Sequence, residues 1–513
     1  MANTQKITIL DIGGQHNQLI ARRVREMGVY CEILPYKKPV AEWRDESLKG
    51  VIVTGGQDCI SNPDASKMGA ELLALGVPVL GIGYGMHLLA VLSGGEVAPA
   101  VANEAGETEL TIAGGALFKG VVNPTSVFMA QPNVVTTVPA GFSVEANTKA
   151  CPIAACSNAA AGLYGVQFHP EVRYTAEGRT MLNNFVFDIC GCEAGYKLED
   201  QIEKMIDDVR KQVGNGKVVA ALSGGVDSSV ASVIAHRALN PGQLTCVFVN
   251  HGLMRYQEPE QVIQTYRDGL GLDVICVDAE ERFLNELKGV TDPEHKRKII
   301  GETFVRVFEE EARKTGAQFL LQGTIYPDII ESGIDGKGPV KSHHNVGGMP
   351  KESMFQPEQL VEPLKYLFKD EVRNVGEAMG IPHEMLWRQP FPGPGLGVRC
   401  IGELTKDRLD RLRLVDFIYR DEIAKAGLAD KIWQYFAIST GVKTVGVTGD
   451  ERTYADCVAL RAVHTEDAMA ADVAEIPYAL LGKISNRIIA ECDGVNRVVY
   501  DITAKPPGTI EWE

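Results

Sequence analysis

No apolar run in the 513-residue chain approaches the roughly 20 residues that a bilayer span requires, and the opening MANTQKITILDIGG lacks the basic start and long apolar core of a secretory signal. The expectation is a cytoplasmic protein with no membrane role. Positive charge is scarce. Lys and Arg total 51 against 67 Asp and Glu, a formal net charge of −16. That balance argues against a general nucleic-acid binder, but leaves room for a local basic pocket that takes a small phosphate ester. Cysteine is dispersed: eleven occur, most in apolar strands or helices such as those of Cys246, Cys276 and Cys457, the pattern of reduced, buried thiols. The one tight group, Cys190 and Cys192, has no further ligands at zinc spacing nearby. Internal repeats and low-complexity tracts are absent. What remains is an ordinary globular composition, 45% apolar and 23% charged, on a chain too long for one core. Two to four domains are expected.

The pattern of the chain suggests three. Residues 1–192 alternate strands (ITILDI, VYCEILPY, GVIVTGG, VPVLGI) with helices such as QLIARRVREMG, and become more β-like after Gly95. GCEAGYKLEDQ (191–201) reads as a linker. A second strand–helix alternation fills 196–388, with apolar strands that imply a parallel sheet covered on both faces. Residues 396–513 look like a smaller sheet under the amphipathic helix EIPYALLGKISNRIIAEC. The fold class expected is α/β: two doubly wound parallel-sheet domains followed by a small α+β domain. SGIDGKGPVKSHHNVGG (332–348) is long, polar and glycine-rich, as a lid would be.

The most informative stretch is ALSGGVDSSVAS (221–232). A strand ends, two glycines and a serine turn, and a helix begins. Glycines admit an anion close to the backbone, and the free N–H groups of a helix start, with the hydroxyls of Ser223, Ser228 and Ser229, can hold phosphate oxygens. No Gly-Lys-Ser/Thr follows, so this is not a Walker A loop. Asp227 is an acid inside an anion site, which makes chemical sense if it holds Mg²⁺ against the phosphates. An isolated Ser-Gly-Gly would suggest only a capped helix. The full S-G-G-x-D-S-S at a strand–helix junction favours phosphate binding by Ser223, Gly224, Gly225, Val226, Asp227, Ser228 and Ser229.

That loop resembles the pyrophosphate loop of the N-type ATP pyrophosphatases. GTIYPDIIES (323–332), KSHHNVGG (341–348), RQPFPGPGLGVR (388–399), GDERTY (449–454) and KPPGTIEWE (505–513) resemble, within that superfamily, the GMP synthetases. The resemblance runs from residue 7 to the last residue. It implies ATP and Mg²⁺ as cosubstrate and cofactor, XMP as the nucleotide substrate, and a purine-biosynthetic ligase that adenylylates the XMP O2 so that ammonia can displace AMP. It implies roles for Lys341 and His343 over the phosphates. It implies that Arg388, Arg399, Gln434, Lys505 and Glu511 surround XMP, and that the third domain pairs two chains as a homodimer. For the adjacent His343 and His344 a metal reading is the weaker one, since neighbours on an extended loop point apart. Two departures stand out: Asn250 where the family usually has aspartate, and Gly441 where leucine–proline is more usual.

The first domain resembles a class I glutamine amidotransferase, which uses cysteine, histidine and glutamate. GVQFHPEV supplies His169 and Glu171. The family's elbow reads G-x-C-Y-G-M-Q; here it reads Gly81-Ile82-Gly83-Tyr84-Gly85-Met86-His87. The nucleophile's place is taken by Gly83. TGGQDCISNP (54–63), with Gln57, and MAQPNVV (129–135) depart too, and Cys59 lies in a loop where it would not replace the thiol. Several changes around one pocket point to natural divergence after glutamine hydrolysis was lost. The expectation is a synthetase using free ammonia, from solution or a separate glutaminase. Alternatives are a synthetase diverged to another purine nucleotide or nucleophile, and a non-catalytic regulatory relative.

Overall fold

Strands that are apolar at nearly every position need cover on both faces, and those of this chain obtain it in the parallel parts of two sheets. The computed structural model describes residues 5–13, 16–56, 69, 71–100, 104–130, 132–331, 354–465 and 470–513. They divide into two compact units, the first essentially Met1–Asp200, the second Gln201–Asp328 with Val340–Glu513.

The first unit is built from β1 (Lys6–Ile12), α1 (Asn17–Glu26), β2 (Tyr30–Pro35), β3 (Leu48–Gly55), β4 (Val79–Gly83), α2 (Tyr84–Leu92), β5 (Glu96–Pro99), β6 (Gly106–Ile112), β7 (Thr125–Met129), β8 (Asn133–Thr137), β9 (Ser143–Asn147), β10 (Ala155–Asn158) and β11 (Leu163–Val166). One sheet runs β2-β1-β3-β4-β11-β10-β9-β6-β7, parallel from β2 to β11 and antiparallel beyond. β5 and β8 form a separate antiparallel pair. Leu10, Val51, Val53 and Val79 pack one face with Leu88 and Leu89 of α2. Ile7, Ile9, Ile52 and Ile82, of alternate parity, are buried on the other.

The second unit opens with α3 (Leu198–Val213), then β12 (Val218–Leu222), α4 (Val226–Ala238), β13 (Leu244–Asn250), β14 (Val274–Asp278), α5 (Pro293–Thr315), β15 (Phe319–Leu321), β16 (Leu360–Val361) and α6 (Lys369–Ala378). Its five strands are all parallel, in the order β14-β13-β12-β15-β16. After them come α7 (Lys406–Lys425), β17 (Gln434–Thr448), β18 (Glu451–His464), β19 (Asp472–Val473), α8 (Tyr478–Glu491) and β20 (Val495–Asp501). These make a second, four-stranded sheet in which β18 is central. Leu409, Leu412, Val415, Tyr419 and Ile423 of α7 recur at helical spacing and are buried. One contiguous core joins them to Val219 and Val247 of the parallel sheet and Leu460 of the other.

The expected linker 191–201 is shorter in the structure, because α3 already begins at Leu198. Glu199 and Asp200 lie in its first turn, where acids complement the positive end of the helix dipole. The expected lid at 332–348 lies outside the described residues, and Lys341, His343 and His344 with it. All ten described cysteines are free, and Cys276 alone among them is exposed. No helix among the described residues is long and apolar enough to cross a membrane.

Candidate functional site

Both parallel sheets present a turn of glycine and polar residues where a strand gives way to a helix. In the second unit the turn follows β12, the strand from which the order of connections departs in both directions. Such a switch point opens a crevice at the carboxyl ends of the strands. Gly224 turns with φ +68°, Gly225 is the N-cap of α4, and the N–H groups of the first turn have no intrahelical partner. Ser223 Oγ and Ser228 Oγ lie 3.2 Å apart, and Ser223 Oγ accepts the Gly225 N–H at 3.2 Å. The two hydroxyls with the helix start form one polar rim. Ser229 is placed differently. Its hydroxyl is buried, donates to the Gly225 carbonyl at 2.5 Å and is bonded to the Tyr266 hydroxyl, so it fixes the turn from behind. The chain after β15 approaches so closely that a Cβ on Gly323 would lie 2.8 Å from the Ser228 nitrogen.

Asp227 is the loop's one carboxylate. Both its oxygens accept from Lys369 Nζ, at 2.7 and 2.6 Å. Lys369 is the first residue of α6, where a cation opposes the helix dipole and therefore needs an anion close by. No motif in the sequence pointed to it; its unfavourable helix position was the available signal. A Mg²⁺ fits this donor set in kind, since Asp227 supplies a carboxylate and the loop leaves room for phosphate oxygens.

Arg388 lies beside this loop: a Cβ on Gly224 would come within 3.5 Å of its guanidinium, which donates to Glu258 Oε1 at 3.1 Å. Burial acts to raise the Glu258 carboxyl, yet Arg255 and Arg388 hold it below the usual carboxylate range. Arg399, Gln434 and Glu511 converge elsewhere in the unit. Arg399 Nε and Nη2 donate to the two oxygens of Glu511 at 2.9 and 2.7 Å, and Gln434 Nε2 lies 3.4 Å from Glu511 Oε1. The guanidinium is stacked 3.9 Å over the Phe436 ring and 5.2 Å from that of Phe391. Arg255, 4.1 Å over the other part of this cluster at Phe391, escaped the sequence reading because nothing local marks it. Lys505 pairs through its backbone with Ala471.

The two departures have local structural accounts. Asn250 ends β13, and its side-chain oxygen accepts the Gly252 N–H at 3.2 Å. Gly441, at φ +72°, sits where the β17–β18 register shifts between Ser439 and Lys443, so it supplies the left-handed residue of a bulge.

In the first unit, β4 ends at Gly83 with φ 57° and ψ −115°, and α2 starts at Tyr84. That conformation is costly for any residue with a Cβ. β11 runs parallel to β4 with Val166 opposite Ile82, so Gln167 follows beside Gly83 and His169 two residues later. His169 Nδ1 lies 2.7 Å from Glu171 Oε1. The His169 backbone is held by its N–H to the Phe128 carbonyl at 3.0 Å and by the Thr175 hydroxyl on its own carbonyl at 2.6 Å. His16, at the end of the β1–α1 turn, reaches the same place: its Nδ1 is 3.4 Å from His169 Nδ1 and 3.4 Å from Glu171 Oε1. His87 is fully buried. Its Nε2 lies 2.8 Å from Gln167 Oε1, and Gln167 Nε2 donates to the Asn133 carbonyl at 2.9 Å. Burial pushes the His87 pKa below the ordinary histidine value, so the ring is neutral and donates to Gln167. His87 and the 129–135 segment thus depart together, joined through Gln167. Gln57 and Cys59 lie outside the described residues.

Three family models match in succession: glutamine amidotransferase class-I at 8–189, NAD synthase at 198–296, and the GMP synthase C terminal domain at 421–512. Relatives match end to end. A "GMP synthase [glutamine-hydrolyzing]" of Acetivibrio thermocellus is 53% identical over 513 residues, 100% of both chains. Proteins of the same name from Clostridium acetobutylicum and Clostridium perfringens are 52% and 51% identical over 99% of both chains. The chain belongs to the GMP synthase family.

The fold expected for such a chain is the one present, an amidotransferase-type unit followed by a pyrophosphatase-type parallel sheet and the C-terminal GMP synthase sheet. In this GMP synthase-family chain the Ser-Gly-Gly loop and the Arg399–Glu511 pair belong to the second unit, and the elbow with Gly83 to the first.

Proposed function

We propose that this chain makes GMP from XMP, ATP and free ammonia, and that its first unit does not hydrolyse glutamine. The observation that carries the proposal is the contrast between a complete Ser-Gly-Gly-x-Asp-Ser-Ser loop and an elbow with the nucleophile's backbone conformation and no side chain at Gly83. The relatives' name specifies glutamine hydrolysis; that statement belongs to them.

In this reading ATP lies with its β- and γ-phosphates on the rim of Ser223, Ser228 and the α4 N–H groups. Asp227 would hold Mg²⁺, which when bound would supply positive charge against the departing pyrophosphate. Lys369, paired with Asp227, places a second positive charge beside the phosphate rim. The XMP O2 attacks the α-phosphorus and pyrophosphate leaves. Ammonia then adds to C2, loses a proton and expels AMP. Glu511, held at both oxygens by Arg399, is fixed to accept a hydrogen bond from the base, and Gln434 adds a donor at the same place. Arg388 and Lys505 supply positive charge for phosphate, and Lys341 and His343, outside the described residues, act on the same phosphates. The working division is 1–192, 196–388 and 396–513. The last part supplies a homodimer contact. Val445 and its cross-strand partner Tyr454 are 39% and 67% exposed, and Val447 is 76% exposed, an apolar surface that suits a second copy.

The decisive experiment measures AMP and pyrophosphate from XMP and ATP with ammonium, then with glutamine. Release with ammonium alone is expected. Glutamine-supported synthesis by the pure protein overturns the nitrogen assignment. Failure with ammonium, together with release on another purine nucleotide, marks a diverged synthetase. Failure to bind ATP with Mg²⁺ marks a non-catalytic relative.

A further inference from the structure

The amidotransferase-type unit has lost its thiol, yet its histidine and glutamate are held in place and a second histidine has joined them. Among the described residues, His16, His169 and Glu171 are the one set of three His, Cys, Asp or Glu side chains close enough to share an ion, with ligand atoms all within 4.8 Å of one another. They come from two turns at the same sheet edge. His16 precedes α1, and His169 and Glu171 follow β11.

The distances fit a small divalent ion. A tetrahedral zinc with bonds of about 2.0–2.1 Å places its ligand atoms about 3.3–3.4 Å apart. His16 Nδ1 lies 3.4 Å from His169 Nδ1 and 3.4 Å from Glu171 Oε1. The third edge, His169 Nδ1 to Glu171 Oε1, is 2.7 Å and has to open by roughly 0.6 Å on that geometry. Glu171 has a second way to ligate. Its side chain is wholly buried, and its Oε2 makes no hydrogen bond among the described residues, a costly state for a carboxylate oxygen. Donor chemistry narrows the ion: two imidazoles and one carboxylate suit zinc, and also cobalt or iron, better than Mg²⁺ or Ca²⁺. His16 is 32% exposed while the other two are buried, which leaves an entry path from one side. Three protein ligands also leave a fourth position for water or a small anion, the pattern of an open rather than a closed site.

We propose that His16, His169 and Glu171 form a binding site for a divalent transition-metal ion of the zinc class. The site stands whichever nitrogen source the synthetase uses.

The test is a Co²⁺ titration of the full chain, followed by displacement with Zn²⁺. One equivalent is expected to bind, with the visible absorption of nitrogen and oxygen ligands and no thiolate-to-cobalt charge-transfer band. His16→Ala and Glu171→Gln are each expected to weaken binding at least about 100-fold, the upper end of what losing even an outer-shell partner of a ligand costs. If Glu171→Gln does not fold, His16→Ala decides alone, with the metal-free melting temperature as its folding control. The proposal is overturned by the absence of saturable binding, by unchanged binding in His16→Ala, or by a thiolate charge-transfer band, which would place the ion on cysteine.

Discussion

The two units solve one construction problem twice and keep different parts of the answer. Each has a buried parallel strand, β4 or β12, that breaks at glycines and restarts as a helix, α2 or α4. In the second unit the turn presents polar groups at a helix start: two hydroxyls in contact and a carboxylate paired with Lys369. In the first, the turn keeps its unusual backbone at Gly83 but presents no side chain, and Gln167 links His87 Nε2 to the Asn133 carbonyl. Backbone shape therefore persists on packing alone, while chemistry depends on a few side chains that packing does not require. Gly83 makes the persistence easier, since the positive φ that strains a nucleophile is comfortable for glycine.

The sharpest way to test this contrast is to remove the chemistry from the second turn. Asp227→Asn keeps the shape of the side chain and removes its charge. Ammonium-dependent pyrophosphate release is expected to fall by about 10²- to 10³-fold, the order associated with losing a preorganised electrostatic partner, with little change in melting temperature. A loss below tenfold would mean that the loop does not hold the reacting phosphates.

A buried histidine offers the next test, because each unit has at least one. His251 follows β13 and is buried, with Nδ1 accepting the Leu253 N–H at 3.1 Å. Burial pushes its pKa down to about 4. Below pH 6.5 the unfolded chain takes up a proton that the folded ring refuses until about pH 4. Stability is thus complete above pH 6.5 and falls through that window, by about 3 kcal/mol at its lower end. His251→Asn keeps an acceptor without the titration. Denaturant melts from pH 7 to 4 should show a shallower decline for the variant; parallel curves would reject the assignment. His87, lowered by burial in the same direction, adds a smaller acid sensitivity to the first unit.

Lys369→Met probes the partner of Asp227. Removing a charge-assisted pair from a partly exposed site is expected to lower kcat/KM for ATP about 10- to 100-fold, less than Asp227→Asn does. An equal or larger loss would make Lys369, rather than Asp227, the main electrostatic group of the loop.

Much of this was legible in the sequence because it is local. The strand–glycine–helix pattern at 221–232, the elbow around Gly83 and the His-Pro-Glu triplet are each contiguous; the first two are found as strand, turn and helix, and the third brings its imidazole to its carboxylate at 2.7 Å. Arg399, Gln434 and Glu511 were recognisable only through family motifs, though they meet in space. Lys369 and His16 were not read at all. What brings His16 in is strand order and register: β1, β3, β4 and β11 are parallel neighbours, so the turns after β1, β4 and β11 open on one edge. A single sequence does not reveal that order. The continuous core from Val219 to Val495 was equally hidden, since the Gly/Pro-rich stretch at 388–399 reads as a boundary while the side chains on either side of it pack together.

The smallest expected effect asks whether a thiol alone would give the first unit the glutamine hydrolysis it is proposed not to perform. Gly83→Cys puts a thiol where the fold resembles a nucleophile elbow, beside a His169–Glu171 pair that is already formed. If the missing thiol were the whole difference, glutamine-dependent synthesis would return. The surroundings argue otherwise. His87 and Gln167 are locked to each other and to Asn133, and His16 lies against the histidine that would activate the thiol. The substitution also imposes a Cβ on φ 57°, ψ −115°, at a cost of about 1–3 kcal/mol. The expected outcome is a lower melting temperature for the first unit and a glutamine-supported rate below about 1% of the ammonium rate, the shortfall expected when a nucleophile lacks its oriented partners. Recovery of glutamine use would show that His16 and His87 are compatible with the old chemistry, and that a single side chain separates this protein from a glutamine-hydrolysing one.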